Sequence, residues 1–198
     1  MRPLAFTFPY VFVFAVVVVW SFIKEDRLVR RGAKASLSGK APADRGSLYV
    51  VIATQGIGFL AAFMMPWIGP AWARIPNELL AFWLGIALMA AGAALRRLCF
   101  RTLGESFTGE VRIRPEQHVV SHGPYRWVRH PGYSAGILMA AGAGLTQGTW
   151  LGTAVAVILT VAGYAYRVAV EERALAEGLG APYREYMSRT KRFVPFVI

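Results

Sequence analysis

The sequence predicts an all-α integral membrane protein with five transmembrane helices, its N-terminus outside and its C-terminus cytoplasmic. Three observations predict it. Of 198 residues, 56% are hydrophobic and 17% charged, where a water-soluble domain carries about a quarter charged residues. Mean hydropathy is +0.43. Five apolar runs approach the roughly 20 residues that cross a hydrocarbon core. Basic residues alternate between rich and poor connecting segments, as the positive-inside rule requires of a multi-span chain.

The first run, 6–23, contains Val16 to Val19 and stops at Lys24-Glu25-Asp26-Arg27. It stands where a signal peptide would. It has no basic n-region beyond Arg2 and no small-residue cleavage site, so it reads as a retained span. The second, 49–67, is closed by Pro66 and the Gly69-Pro70 breaker. The third, 79–95, ends at Arg96-Arg97. The fourth and fifth, 132–148 and 150–166, are so close that they form a tight hairpin with Gln147, Gly148 and Thr149 as its turn. Runs of this length exceed barrel strands, and helices satisfy every backbone amide without a closed sheet. The fourth run carries Gly132, Gly136, Ala140 and Gly144 at steps of four, a stripe that admits a neighbouring backbone. The five spans make residues 1–198 one membrane domain.

Segment 24–48 holds seven basic residues (Lys24, Arg27, Arg30, Arg31, Lys34, Lys40, Arg45) and segment 96–131 another seven (Arg96, Arg97, Arg101, Arg112, Arg114, Arg126, Arg129). The tail from 167 holds six more, whereas Arg2 and Arg74 stand alone on the other side. The net charge of +11 is therefore mainly a topological signal, and nucleic acid is not an expected partner. Cys99 is the single cysteine, which excludes a disulfide framework. No carboxylate or cysteine stands at ligand spacing with His118, His122 and His130, so no metal site is expected.

Chemistry concentrates in two cytoplasmic segments, 103–133 and 167–196. In the first, Gly123-Pro124 makes a turn and Pro131 starts the fourth helix, with Arg129 and His130 just before it. A cation, an imidazole, helix N-terminal amides and phenols then meet where a carboxylate or other anion is favoured. In the second, Arg167 precedes Glu171 by four residues, which puts both on one helical face and lets each hold the other ionised. Leu175, Leu179, Tyr183 and Tyr186 follow at helical spacing, interrupted at Gly180-Ala181-Pro182, as two short amphipathic helices would. Bland readings stand beside these. Arg126, Trp127 and Arg129 suit an interfacial anchor, Arg167 with Glu171 suits a structural ion pair, and the two tyrosines suit packing.

Together the run Gly-Pro-Tyr-Arg-Trp-Val-Arg-His-Pro-Gly-Tyr at 123–133, Glu171-Glu172, Leu175, Leu179-Gly180, Tyr183, Tyr186 and Arg-Phe-Val-Pro-Phe at 192–196 resemble the isoprenylcysteine carboxyl methyltransferase family, in a bacterial-type member. The match reaches upstream to Leu103-Gly104 and Phe107 and covers about half the chain. The resemblance implies S-adenosyl-L-methionine as methyl donor. It implies cofactor contacts at Gln117, His118, Val119, Val120, Tyr125, His130, Pro131, Gly132, Tyr133 and Glu171, and a substrate-contacting role for Arg167. Eukaryotic members carry a histidine where Gln117 aligns, and the first three spans show no match.

The expected activity is transfer of a methyl group to a lipophilic acceptor entering from the bilayer among membrane lipids, with an isoprenylcysteine-like or prenylated substrate first. Arg167, Glu171 and Arg129 are the candidate catalytic residues. A carboxylate acceptor needs no general base, and a guanidinium at Arg167 or Arg129 grips it while leaving it anionic. An amine acceptor, as in phospholipid or other lipid N-methylation, needs a base, and Glu171 is the candidate. A non-catalytic membrane scaffold or transport component is a further alternative. Membrane sterol reductases using NADPH share a similar C-terminal region, but usually carry Trp where Tyr183 stands. The expected location is a bacterial inner membrane with the site facing the cytoplasm.

Overall fold

The computed structural model describes residues 2–22, 46–104 and 118–193, and these are helical throughout apart from short links. The helices are α1 (Tyr10–Phe22), α2 (Ser47–Ile68), α3 (Glu78–Leu103), α4 (Pro131–Thr146), α5 (Trp150–Gly178) and α6 (Ala181–Arg189), with 3-10 turns at Leu4–Phe6, Ala71–Ala73 and Gly123–Arg126. Each of the five apolar runs forms a helix. Three of these, α2, α3 and α5, are long and apolar enough to cross a membrane, while Tyr10–Ser21 is a shorter apolar helix.

Helix ends follow local chemistry. The Asn77 side chain accepts the Leu80 amide at 3.0 Å and Glu78 sits in the first turn of α3, so cap and helix dipole act together. Pro131 opens α4, where a missing N–H costs nothing. Gly148, with φ of 72°, turns the α4–α5 hairpin in a conformation that glycine adopts without strain. The Ile75 amide bonds the Gly148 carbonyl at 2.9 Å. That bond joins the α2–α3 link to the hairpin turn at one end of the bundle.

Two expected boundaries move. The third run continues as helix through Arg96, Arg97 and Arg101 to Leu103, because arginine extends a helix well. Helix α5 likewise runs through Arg167, Glu171 and Leu175 to Gly178. Residues 167–178 contain no breaker before Gly178, so the first of the two expected short helices is the end of α5. The second, α6, is separate because Gly180 takes φ of 66° and Pro182 follows.

Helix α4 is the centre of the bundle, with ten of its 16 residues buried. Its small residues let neighbours approach on two sides. A Cβ on Gly85 of α3 would lie 2.6 Å from the Gly142 carbonyl, and one on Gly92 would lie 2.7 Å from the Ala135 carbonyl. On the other side, a Cβ on Gly136 would overlap the Tyr164 hydroxyl of α5, and one on Gly144 would lie 2.6 Å from Thr153 Cα. Helix α2 packs against α5, and α1 packs on α3 through the Tyr10 and Phe82 rings, 5.2 Å apart. Large apolar side chains including Val16, Ile52, Ile57, Leu60, Leu80 and Ile158 point outward. Such outer faces, on helices this long, are those of an integral membrane protein.

Gly85→Val is expected to lower detergent melting by the equivalent of about 1–3 kcal/mol, the cost of overpacking a tight contact. Gly56→Ala, whose Cβ meets nothing within 4 Å among the described residues, is expected to leave melting unchanged or slightly raised.

Candidate active site

Four segments converge at the end of the bundle away from the hairpin turn: the approach to α4, the second half of α5, the residues after α6, and the start of α2. The first three are joined by Glu172, whose side chain is 5% exposed. Its Oε1 accepts from Arg129 Nε at 2.8 Å, and its Oε2 from Arg192 Nε at 3.0 Å. His130 Nε2 lies 3.2 Å from Oε1. A carboxylate only accepts, so that nitrogen carries the proton. Arg129 also donates to the Met187 carbonyl at 3.0 Å and to the Thr190 carbonyl.

Main chain reinforces the clamp. The amides of Arg129 and His130 donate to the carbonyls of Lys191 and Arg192 at 2.7 and 3.0 Å, with a parallel bridge at Val128 and Lys191. Ser134 Oγ donates to the Phe193 carbonyl at 2.5 Å, and the Tyr186 hydroxyl to the Tyr125 carbonyl at 2.6 Å. The end of α6 and the chain after it thus form a strap sewn along residues 125–134.

Beside the clamp lies a second set of groups. Tyr133, in the first turn of α4, donates from its hydroxyl to Glu171 Oε2 at 2.7 Å and accepts from Arg167 Nε at 2.9 Å. The phenol therefore stands between the arginine and the carboxylate that the i, i+4 spacing paired. Arg167 Nη1 donates to Ser47 Oγ at 3.1 Å. The Tyr133 ring stacks on Tyr164 at 4.6 Å and on His130 at 5.5 Å. Arg167 is buried, while the Glu171 side chain is 28% exposed. Among the described residues, a Cβ on Gly132 would meet nothing within 4 Å, so within these residues the α4 N-terminus opens onto space next to these groups.

Three phenols at this end stay neutral through the physiological range. Burial pushes Tyr125 up, and Cys99 and Glu171 add to the effect. Burial also pushes Tyr183 up, helped by Glu172 and Glu171. Tyr186 is pushed up to about 12 by burial against the opposing pull of Arg129. Each remains a donor as well as an acceptor.

The structure brings Arg167, Glu171, Arg129, Tyr125, His130, Pro131, Gly132 and Tyr133 to one place. His118, Val119 and Val120 lie on the irregular chain before the 123–126 turn. Among the described residues, no hydrogen bond or ion pair joins them to the Arg167 cluster. Gln117, Phe107 and residues 194–196 lie outside the described residues. Sequence reasoning missed the parts of Glu172, Arg192 and Ser47. Glu172 was detectable: it stands four residues after buried Val168, so it projects from the packed side of α5, where a carboxylate requires cationic partners. Ser47 had no local signal.

Residues 80–181, just over half the chain, match the family described as phospholipid methyltransferase. The chain belongs to that family. Within the phospholipid methyltransferase family, it is similar to relatives with a narrower description. It is 32% identical over 126 residues to the probable protein-S-isoprenylcysteine O-methyltransferase of Oryza sativa subsp. indica, covering 61% of this chain and 66% of that protein. It is 31% identical over 115 residues to protein-S-isoprenylcysteine O-methyltransferase B of Arabidopsis thaliana, covering 57% and 58%. The matched stretch thus spans less than two thirds of these relatives' length. The solved eukaryotic intramembrane Ras methyltransferase ICMT shares the fold, with a TM-score of 0.51 at 20% identity over 98% of this chain and 80% of that one. The resemblance carried by 123–133 and 171–196 accords with these relatives.

Removing Glu172 leaves the buried Arg129 guanidinium without its anionic partner, so Glu172→Ala is expected to cost about 3–5 kcal/mol of stability. Glu185 pairs with Arg189 with both side chains largely exposed, and Glu185→Ala is expected to cost under about 1 kcal/mol. Paired melting curves in one detergent check both.

Proposed function

We propose that this family member is an S-adenosylmethionine-dependent methyltransferase acting on the carboxylate of a lipophilic, isoprenylcysteine-like acceptor that enters from the bilayer. The observation that carries this reading is a buried guanidinium, Arg167, fixed by Tyr133 and Ser47 one helical turn from a part-exposed carboxylate, Glu171. The names of the relatives support it. The proposed arrangement is a single domain over 1–198 with five spans, N-terminus outside, in a bacterial inner membrane. Segments 103–133 and 167–196 would then form the cytoplasmic site, the side favoured by the basic segments.

The residues present fit the donor. Glu171 offers an acceptor for amino or hydroxyl groups and complements a cation, the α4 N-terminus favours a carboxylate, and Gly132 leaves space beside both. Tyr125, His130, Pro131 and Tyr133 border the same space, and the proposed donor contacts extend to Gln117, His118, Val119 and Val120. When bound, the donor supplies an electrophilic methyl on a cationic sulfur; its transfer to a carboxylate oxygen leaves a neutral thioether and a neutral ester.

The protein's part is placement. A carboxylate is already a nucleophile, so Arg167 has to orient it without protonating it, and the strap over residues 125–134 excludes water that would blunt its reactivity. In a site shielded from water, Arg167 and Glu171 act on the reacting charges more strongly than in solution. Arg129, engaged by Glu172 and two carbonyls, holds the strap rather than the acceptor. The family's description favours a second reading, N-methylation of a phospholipid, in which Glu171 takes the proton from the amine.

Purified protein incubated with methyl-labelled donor and an S-farnesylcysteine derivative is expected to yield a volatile label released by mild base. Arg167→Ala is expected to lower transfer by about 10²-fold or more, the usual loss for one preorganised charge-stabilising group, at nearly unchanged melting. Label resistant to base would favour N-methylation, and equal loss of folding and transfer in Arg167→Ala would make the residue structural.

A further inference from the structure

Ser47 begins α2 and lies outside the stretch, 80–181, that matches the family. It is fully buried, and its hydroxyl accepts from Arg167 Nη1 at 3.1 Å. This contact is the last rung of a ladder. Ala62 lies against Gly152, where a Cβ would stand 3.1 Å from Ala62 Cα. Gly58 lies against Ala156, where a Cβ would stand 3.2 Å from Ala156 Cα. A Cβ on Gly163 would overlap the Thr54 hydroxyl and stand 3.4 Å from Val51 Cα. From rung to rung, each step along α2 toward its start is matched by an equal step along α5 toward its end. The register that seats these small residues is the register that delivers Ser47 to Arg167.

A guanidinium is planar, with its donors in fixed directions. Tyr133 holds Nε and Ser47 holds Nη1. Two partners on different nitrogens, from α4 and α2, stop the plane from turning about its own stem. The Tyr133 contact also belongs to Glu171, whereas the Ser47 contact is rooted in the α2–α5 seam.

We infer that Ser47 is a positioning residue for the methyl acceptor: it fixes the direction in which Arg167 presents its charge, and through it the helix outside the family-matched stretch takes part in acceptor recognition. The inference rests on the proposed carboxylate methylation. It gives α2 a chemical task in addition to its packing.

The test is steady-state kinetics with the S-farnesylcysteine derivative, alongside calorimetry of S-adenosylhomocysteine, on wild type, Ser47→Ala, Ser47→Thr and Arg167→Ala with and without Ser47→Ala. Ser47→Ala is expected to raise the acceptor KM about tenfold, the scale of one hydrogen bond to a charged group, with kcat changed less and S-adenosylhomocysteine affinity retained. Ser47→Thr, which keeps the hydroxyl, is expected to recover most of the loss. In the Arg167→Ala background, Ser47→Ala is expected to add nothing. If Ser47→Ala does not fold, Ser47→Cys takes its place, with an intermediate KM expected. An unchanged acceptor KM, a parallel loss of S-adenosylhomocysteine binding, or additive losses in the double variant would overturn the inference. Absence of base-labile product from wild type would instead overturn the proposed function.

Discussion

One buried carboxylate organises the polar end of this molecule. Glu172 sits where water is excluded, and an isolated charge there would be prohibitively costly. Arg129, His130 and Arg192 offset that cost with hydrogen bonds to both oxygens. They come from the approach to α4 and from the chain after α6, so satisfying Glu172 requires both segments to close on α5. A buried ion cluster of this kind contributes more to a defined arrangement than to net stability. Here it determines where the strap lies, against residues 128–134 at the start of α4, the turn that carries Tyr133.

The apolar body delivers the same residues by packing. Close approach of α4 to α3 and α5 depends on glycines at the crossings, since a single Cβ on Gly85 or Gly136 would meet backbone or a ring. In a membrane, such contacts replace the hydrophobic effect as the source of helix association. The α2–α5 seam follows the same rule, which is why a residue near the start of the chain meets Arg167 at a defined distance. The polar clamp fixes the start of α4, which carries Tyr133, the α2–α5 seam carries Ser47, and both residues meet at Arg167.

Much of this was legible in the sequence because membranes make hydrophobic length a strong signal. The five apolar runs gave five helices, and Gln147-Gly148-Thr149 gave the hairpin turn. The grouping of 123–133 with 167–193 was legible from residue type, since Arg, His, Tyr and Glu seldom gather in so apolar a chain without a shared site. What was not legible depends on rotation and register. The i, i+4 rule paired Arg167 with Glu171 on one face, but it could not show Tyr133 standing between them. Adjacent carboxylates look alike in sequence, yet Glu171 faces the open side and Glu172 the packed side. Ser47 was invisible because its meaning arises only after helix packing brings it to Arg167, 120 residues away in sequence.

The α4 approach, the end of α5 and the strap are proposed to form a single donor site. Hydrogen exchange of the detergent-solubilised protein, with and without saturating S-adenosylhomocysteine, is the test. Gain of protection at 128–134, 167–172 and 190–193 together, with the hairpin-turn end unchanged, is the result predicted. Protection confined to one of these segments, or appearing around 69–77 and 146–149 instead, would contradict it.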